Sequence, residues 1–319
     1  MTSSTVASSI DTSAPSRRSQ TLAFIGLGAM GWAMCGHLQR AGHVMRVHAR
    51  DAAKRERAAQ AGMAVCDSPA EAAQGAAFIF SNVTATADVE QVLIGPQGAM
   101  QGAQPGAVCI DHSTIAPAGA RRIGAVLAER DVGFLDAPVS GGEKGAIEAS
   151  LSIMVGGEAA TFTRALPLLR LLGRTITHIG PVGSGQVTKL CNQIVQVVNI
   201  EGIAEALRFA QAEGVDLQRV LAAISAGMAG SRMLDSMGPK MVAHDFAPGI
   251  QARLHAKDFG LAATVAQDAG LHLPALQVVR QQLEQLMALG LGQDDTSSLM
   301  RLLERGRDTD GCMREHDAT

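Results

Sequence analysis

The sequence contains no tyrosine, a single tryptophan and only 3% aromatic residues. That scarcity argues against binding nucleic acid by base stacking and leaves Ala, Leu, Val and Met to fill the cores. An excess of charge of one sign is lacking too. With 27 Lys and Arg against 30 Asp and Glu, the net charge of -3 offers no footprint for nucleic acid or an anionic membrane. No apolar run reaches the roughly 18 residues of a membrane span. The five cysteines, Cys35, Cys66, Cys109, Cys191 and Cys312, form no Cys-x-x-Cys pair and have no histidines at metal spacing. They read as small buried apolar residues in a reducing compartment, and no metal site is expected.

What remains is a globular composition, 47% apolar and 18% charged, over 319 residues, a length at which two domains are expected. Residues 1–20 are rich in Ser and Thr and read as a disordered tail. Arg17 and Arg18 invite a transit or twin-arginine reading, but the apolar stretch after them is better explained as a strand and a phosphate loop, so a cytoplasmic protein is expected.

That stretch runs from Thr21 to Ile25 and leads into Gly26-Leu27-Gly28-Ala29-Met30-Gly31 and a helical pattern through about Ala41. The spacing is that of a dinucleotide-binding loop. Gly26 permits the tight turn, Gly28 lets backbone approach a pyrophosphate, and Gly31 lets the helix lie close on the strand. The helix N-terminus offers unpaired N–H groups and a positive dipole end to the anion. The second strand, Val44 to His48, ends in His48-Ala49-Arg50-Asp51, with no acidic residue placed to accept a ribose 2′-hydroxyl. Arg50 suits a 2′-phosphate instead, so NADP is preferred over NAD as cofactor.

Strands and helices alternate onward. Ser68-Pro69-Ala70-Glu71 is a capping box that starts a helix, and strands are expected at 77–81, 107–111 and 133–136. This pattern implies a doubly wound parallel sheet with ligands at the strand C-termini. Asn82-Val83-Thr84 and Asp111-His112-Ser113-Thr114 follow such ends; Ser113 and Thr114 suit a helix cap as well as a cofactor contact. After Asp136-Ala137-Pro138-Val139-Ser140-Gly141-Gly142, further strands are expected at 151–155 and 175–178, with a helix over 159–172 between them. A long helix then spans about Gln186 to Glu213, and only helices follow. The expected division is a Rossmann-type domain over 21–182 and a helical substrate and oligomerisation domain over 183–319, joined by the long helix. Such a helix is too apolar to stay solvated alone and is expected to pack on neighbours or a second subunit.

Taken together, four motifs resemble the β-hydroxyacid dehydrogenase family. They are the glycine loop at 26–31, the segment Asp136 to Gly142, Gly183-Ser184-Gly185-Gln186-Val187-Thr188-Lys189-Leu190-Cys191-Asn192-Gln193, and Lys257-Asp258-Phe259-Gly260-Leu261-Ala262. The resemblance spans about 22–303. It implies that Lys189 is the catalytic acid/base, that Ser140, Gly141 and Gly142 bind a substrate carboxylate, and that Asn192 or Gln193 holds the substrate. It implies that Thr114 and Lys257 touch the cofactor, and that the protein is a homodimer or homotetramer. Ala49, where NADP-preferring relatives often carry Asn, and the loop Asn82-Val83-Thr84 depart from the family pattern. The stretches 151–157 and 192–201 are more similar to tartronate semialdehyde reductases than to 3-hydroxyisobutyrate dehydrogenases, which implies reduction of tartronate semialdehyde to D-glycerate. The alternatives are a 3-hydroxyisobutyrate dehydrogenase or another small semialdehyde or glyoxylate reductase. An imine reductase or a non-catalytic dinucleotide-binding protein fits less well, because relatives of those kinds usually lack the lysine.

The residue types suit that chemistry. Hydride reduction of an aldehyde puts negative charge on its oxygen, and a lysine both polarises the carbonyl and delivers the proton. Lys189, Asn192 and Gln193 stand at i, i+3 and i+4, on one helix face. An apolar wall and the cationic Lys257 are expected to lower the Lys189 pKa. Ser140-Gly141-Gly142 offers consecutive N–H groups and a hydroxyl to an anion. Asp258 reads as a capping or orienting residue.

Overall fold

The computed structural model describes residues 19–310. Up to residue 18, the expected tail lies outside the described residues. The first half alternates β1 (Thr21–Ile25), α1 (Ala29–Arg40), β2 (Val44–His48), α2 (Ala52–Gln60), β3 (Ala64–Val65), α3 (Pro69–Ala73), β4 (Phe78–Ser81), α4 (Thr86–Ile94), β5 (Val108–Asp111), α5 (Pro117–Ala128) and β6 (Gly133–Asp136). These six strands pair in parallel in the order β3-β2-β1-β4-β5-β6. The strand order reverses between β1 and β4, so a crevice for a ligand opens beyond their C-terminal ends.

Period-two alternation with both faces buried explains the near-continuous apolar strands. In β1, Leu22 and Phe24 join one core, with Met34, Leu38 and Phe80. Ala23 and Ile25 join the other, with Ile79, Leu93 and Ile123. Proline at the first turn starts α3 and α5, and the Ser68 hydroxyl accepts from the Glu71 amide as the capping box requires.

Beyond β6 the sheet departs from the parallel pattern. Pro138 interrupts the strand, which resumes as β7 (Val139–Ser140); α6 (Gly142–Ile147) follows, and β8 (Leu151–Gly156) runs antiparallel to both β6 and β7. Residues 141–150 are too few for a parallel crossover, which needs about a dozen. The segment Asp136 to Gly142 is thus a strand end feeding a short helix. After α7 (Ala159–Leu169), β9 (Gly173–Gly180) returns parallel to β8.

The helical half opens on α8 (Ser184–Ala212), 29 residues and about 43 Å long at 1.5 Å per residue. It continues through α9 (Leu217–Ser225), α10 (Arg232–Val242), α11 (Ala252–Asp268), α12 (Pro274–Ala288) and α13 (Leu299–Asp310). Leu190, Val197, Ile200 and Leu207 of α8 pack into a third core with Met237, Phe259, Leu283 and Met300. No helix among the described residues is long and apolar enough to cross a membrane.

Three cysteines, Cys35, Cys66 and Cys109, are buried as expected, while Cys191 is exposed. It lies two residues beyond the buried Lys189, about 200° further round α8. Cys312 falls outside the described residues.

Candidate active site

The glycine loop is shaped by three different constraints. Gly26 has φ +95°, and a Cβ there would lie 2.3 Å from the Asn82 carbonyl oxygen. A Cβ on Gly31 would lie 2.1 Å from the Gly26 oxygen. Neither position tolerates a side chain, because backbone occupies the space. A Cβ on Gly28, in contrast, would meet nothing within 4 Å, and this residue precedes α1 without any side-chain cap. The open space and the uncapped helix N-terminus together fit a phosphate group. Leu27 is buried beneath the loop, Ala29 is exposed at its rim and Met30 packs on the β1 core. A cavity of about 360 Å³ beside Gly28 and Ala29 is bordered by Trp32, Lys54, Arg57 and Glu143.

Two loops at strand ends form the next wall. The Val83 amide donates to the Ser113 hydroxyl at 2.9 Å, and that hydroxyl donates to Asp111 Oδ1 at 2.7 Å. Ser113 is therefore neither the cap of α5, whose N-cap is Ala116, nor a free ligand group; it ties the loops together. The side-chain nitrogen of Asn82 is buried with no protein partner, a donor available to a ligand. Lys257 of α11 crosses from the helical half and donates to the carbonyls of Thr84 at 3.0 Å and Thr114 at 2.6 Å. Arg50 stands beyond β2 with its side chain 78% exposed, 3.6 Å from Asp88.

Lys189 is 7% exposed on α8. Its ammonium donates to Gln193 Oε1 at 2.8 Å. Asn192 Nδ2 donates to the same oxygen at 2.9 Å, and Gln193 Nε2 donates to Asp258 Oδ2 at 2.7 Å. Asp258 Oδ1 lies 3.0 Å from Lys257 Nζ. Burial pushes the Lys189 pKa down to about 8; Asp258 resists that fall and Lys257 adds to it. His255, one turn before Asp258, is buried and held neutral, its pKa pushed down to about 4 chiefly by burial, with Nδ1 2.8 Å from Thr296 Oγ1.

The glycine-rich cradle lies against the same helix. Gln196, seven residues after Lys189 and on its face, donates from Nε2 to Ser140 Oγ at 3.2 Å. Gly141 and Gly142 have φ +133° and +62°, conformations that favour glycine, and nothing lies within 4 Å of a Cβ at Gly142. Among the described residues, no group of three or more His, Cys, Asp or Glu could hold a metal ion.

Residues 21–180 match the family described as the NAD binding domain of 6-phosphogluconate dehydrogenase, and residues 183–303 match the NAD-binding family of NADP-dependent 3-hydroxyisobutyrate dehydrogenase. The chain is 40% identical to the 2-hydroxy-3-oxopropionate reductase of Escherichia coli, over 89% of this chain and 97% of that one. It is 34% identical to an NAD-dependent L-serine dehydrogenase of Pseudomonas aeruginosa, over 89% and 97%. The solved 3-hydroxyisobutyrate dehydrogenase of Mycobacterium tuberculosis with L-serine superposes with a TM-score of 0.83 at 32% identity, covering 90% of this chain and 99% of that one. The chain belongs to the β-hydroxyacid dehydrogenase family.

As a member of that family it is an NAD(P)-dependent dehydrogenase/reductase. The uncapped α1 terminus, the space at Gly28 and the orphan donor of Asn82 fit the family's nicotinamide dinucleotide, which supplies or accepts a hydride when bound. The structure brings Lys189, Asn192 and Gln193 together with Lys257 and Asp258, and links Ser140 to the same helix; Arg50 stands apart at the rim.

Sequence reasoning missed three contributors. Gln196 was legible as i+7 from Lys189, but its partner is 56 residues away. Asp136 opens the motif Asp136 to Gly142 and accepts from the amides of Gly183 at 2.7 Å and Gln186 at 2.9 Å, capping α8. Gln186 then holds the 113–115 loop, accepting from the Ile115 amide at 3.0 Å and donating to the Ser113 carbonyl at 2.8 Å.

Proposed function

We propose that the protein reduces tartronate semialdehyde to D-glycerate with NADPH as the preferred reductant, with Lys189 as its general acid. The observation that carries the reading is the buried Lys189 ammonium, fixed by Gln193 on the helix face that also carries Gln196 to the Ser140 cradle. The N–H groups at Gly141 and Gly142 and the Ser140 hydroxyl hold the substrate carboxylate. Lys189 polarises the aldehyde oxygen and releases a proton to it as the alkoxide develops; in the oxidative direction its neutral amine takes the proton back. A pKa near 8 keeps both forms accessible around neutrality. The similarity to the 2-hydroxy-3-oxopropionate reductase of Escherichia coli supports this substrate. The exposed Arg50, beyond the end of β2 and with no acidic residue at His48 or Ala49, supports NADPH.

The reading extends to a cytoplasmic homodimer or homotetramer. Val195 and Phe209, 62% and 71% exposed, share one side of α8 with Val187 and form an apolar stripe suited to a second subunit. Light scattering coupled to gel filtration would measure the assembly.

The decisive experiment is a comparison of wild type with Lys189→Ala. NADPH oxidation is followed with tartronate, succinate and methylmalonate semialdehydes and with glyoxylate. Turnover should fall by roughly 10³-fold or more while NADPH affinity stays nearly intact. Undiminished turnover removes Lys189 from the mechanism, and a preference for another semialdehyde replaces the substrate alone.

A further inference from the structure

The hydrogen bonds of Gln193 engage its carbonyl oxygen twice and its amide nitrogen once, all with protein groups, which suits an orienting role. Its carbonyl oxygen accepts from both Lys189 and Asn192, and its amide nitrogen donates to Asp258. An amide can be flipped end for end, and here only one orientation works. Asp258, as a carboxylate, accepts and cannot donate. It therefore requires the NH₂ end of Gln193 and leaves the oxygen facing Lys189. The opposite orientation would set an NH₂ group against an ammonium and an oxygen against a carboxylate, with Lys189, Gln193 and Asp258 all buried.

We infer that Asp258 and Gln193 are positioning residues: Asp258 fixes the Gln193 amide, and that amide aims the Lys189 ammonium, leaving Asn192 and Ser140 for the substrate. The inference rests on the reading of Lys189 as general acid. It also gives Lys257 a second function. Its ammonium, bound to the carbonyls of Thr84 and Thr114, lies 3.0 Å from Asp258, so the loops lining the dinucleotide crevice are joined to the proton donor through Lys257, Asp258 and Gln193. The charged and titratable groups that face Lys189 from α11 are Asp258, Lys257 and the neutral His255.

The test is Asp258→Asn, whose amide no longer dictates the orientation of Gln193 and whose neutrality removes a negative charge beside the ammonium. With wild-type substrate, kcat should fall roughly 10- to 100-fold, the scale of a misplaced catalytic group, with the KM for NADPH within about twofold. The Lys189 pKa should move below its wild-type value. That value is measured by NMR on isotopically labelled lysine, with the signal assigned by its loss in Lys189→Ala. Asp258→Glu should recover part of kcat. Gln193→Met should lower kcat by a similar factor, and adding Asp258→Asn to it should cost little more, since the two act in series. An unmoved Lys189 pKa in Asp258→Asn overturns the inference, as does a fully multiplicative double variant. Because the NMR titration needs no turnover, it still reports if the substrate assignment fails; a failed Lys189→Ala test would overturn the general-acid reading separately. If Asp258→Asn does not fold, Gln193→Met carries the comparison, and an unchanged kcat and Lys189 pKa there overturn the inference.

Discussion

Replacing Lys189 with methionine should make the protein more stable while destroying its activity. Met has a similar length and no charge, so the substitution removes the cost of holding an ammonium in a buried site. The fall of the Lys189 pKa from 10.5 to about 8 sets that cost. At about 1.4 kcal/mol per pH unit, it amounts to about 3 kcal/mol. Against this stands the hydrogen bond to Gln193, worth about 1 kcal/mol, although Gln193 Oε1 keeps its bond from Asn192. The net gain at neutral pH is therefore about 2 kcal/mol. The sign follows from proton binding. Between pH 8 and 10.5 the unfolded chain binds the proton that the folded protein has lost, so wild-type stability rises with pH through that window and the cost is present in full below it. Groups remote from Lys189 titrate alike in the two proteins, and the neighbouring His255, its pKa pushed down to about 4, is already neutral in this window, so the change in their difference between pH 8 and 10.5 reports chiefly Lys189. Urea unfolding of wild type and Lys189→Met across a pH series should show the variant ahead at about pH 7 and the gap closing by about pH 10.5. A gap that does not change with pH, or a wild type more stable at neutrality, would refute the reasoning.

Other expected outcomes concern rate and cofactor. In the reductive direction kcat should decline above about pH 8, where Lys189 loses its proton, and in the oxidative direction it should rise through the same pH; parallel profiles would exclude a single shared group. Arg50→Ala should raise the KM for NADPH by roughly tenfold or more and leave that for NADH nearly unchanged, and equal effects would rule out a 2′-phosphate contact. Gly28→Ala, which meets nothing within 4 Å, should leave the unfolding free energy within about 1 kcal/mol but weaken dinucleotide binding in a fluorescence titration of Trp32. Gly31→Ala, which drives a Cβ to 2.1 Å from backbone, should lower stability by several times that amount in the same unfolding assay.

The features legible in the sequence were those imposed by local geometry. Gly26, Gly28 and Gly31 announce the loop because backbone sterics allow no other residue at two of them and a ligand needs the third free. Lys189, Asn192 and Gln193 could be placed on one face because helical spacing fixes it. The antiparallel return of β8 was hidden because it depends on the shortness of a connection that itself contains a helix. Asp136 was legible as the end of a strand and the start of the 136–142 motif, whereas its carboxylate reaches amides 47 and 50 residues further on. Gln193 shows the same limit in one residue: its position was correct, but its partners come from Asp258, 65 residues away. Which end of an amide faces a lysine is decided by tertiary neighbours, and no spacing rule encodes it.

The start of α8 has a mechanical consequence. Its first turn is pinned to the sheet by the Asp136 carboxylate and to the 113–115 loop by the Gln186 side chain, and Lys189 follows one turn later. The lysine is thereby carried by the nucleotide-binding body, even though the sequence assigns its helix to the other half. Any breathing of the crevice that admits a substrate must bend further along the chain or slide the α11 contacts across. Lys189 and the 113–115 loop would stay in register throughout, and only the opposite wall, with Asp258 and Lys257, would travel.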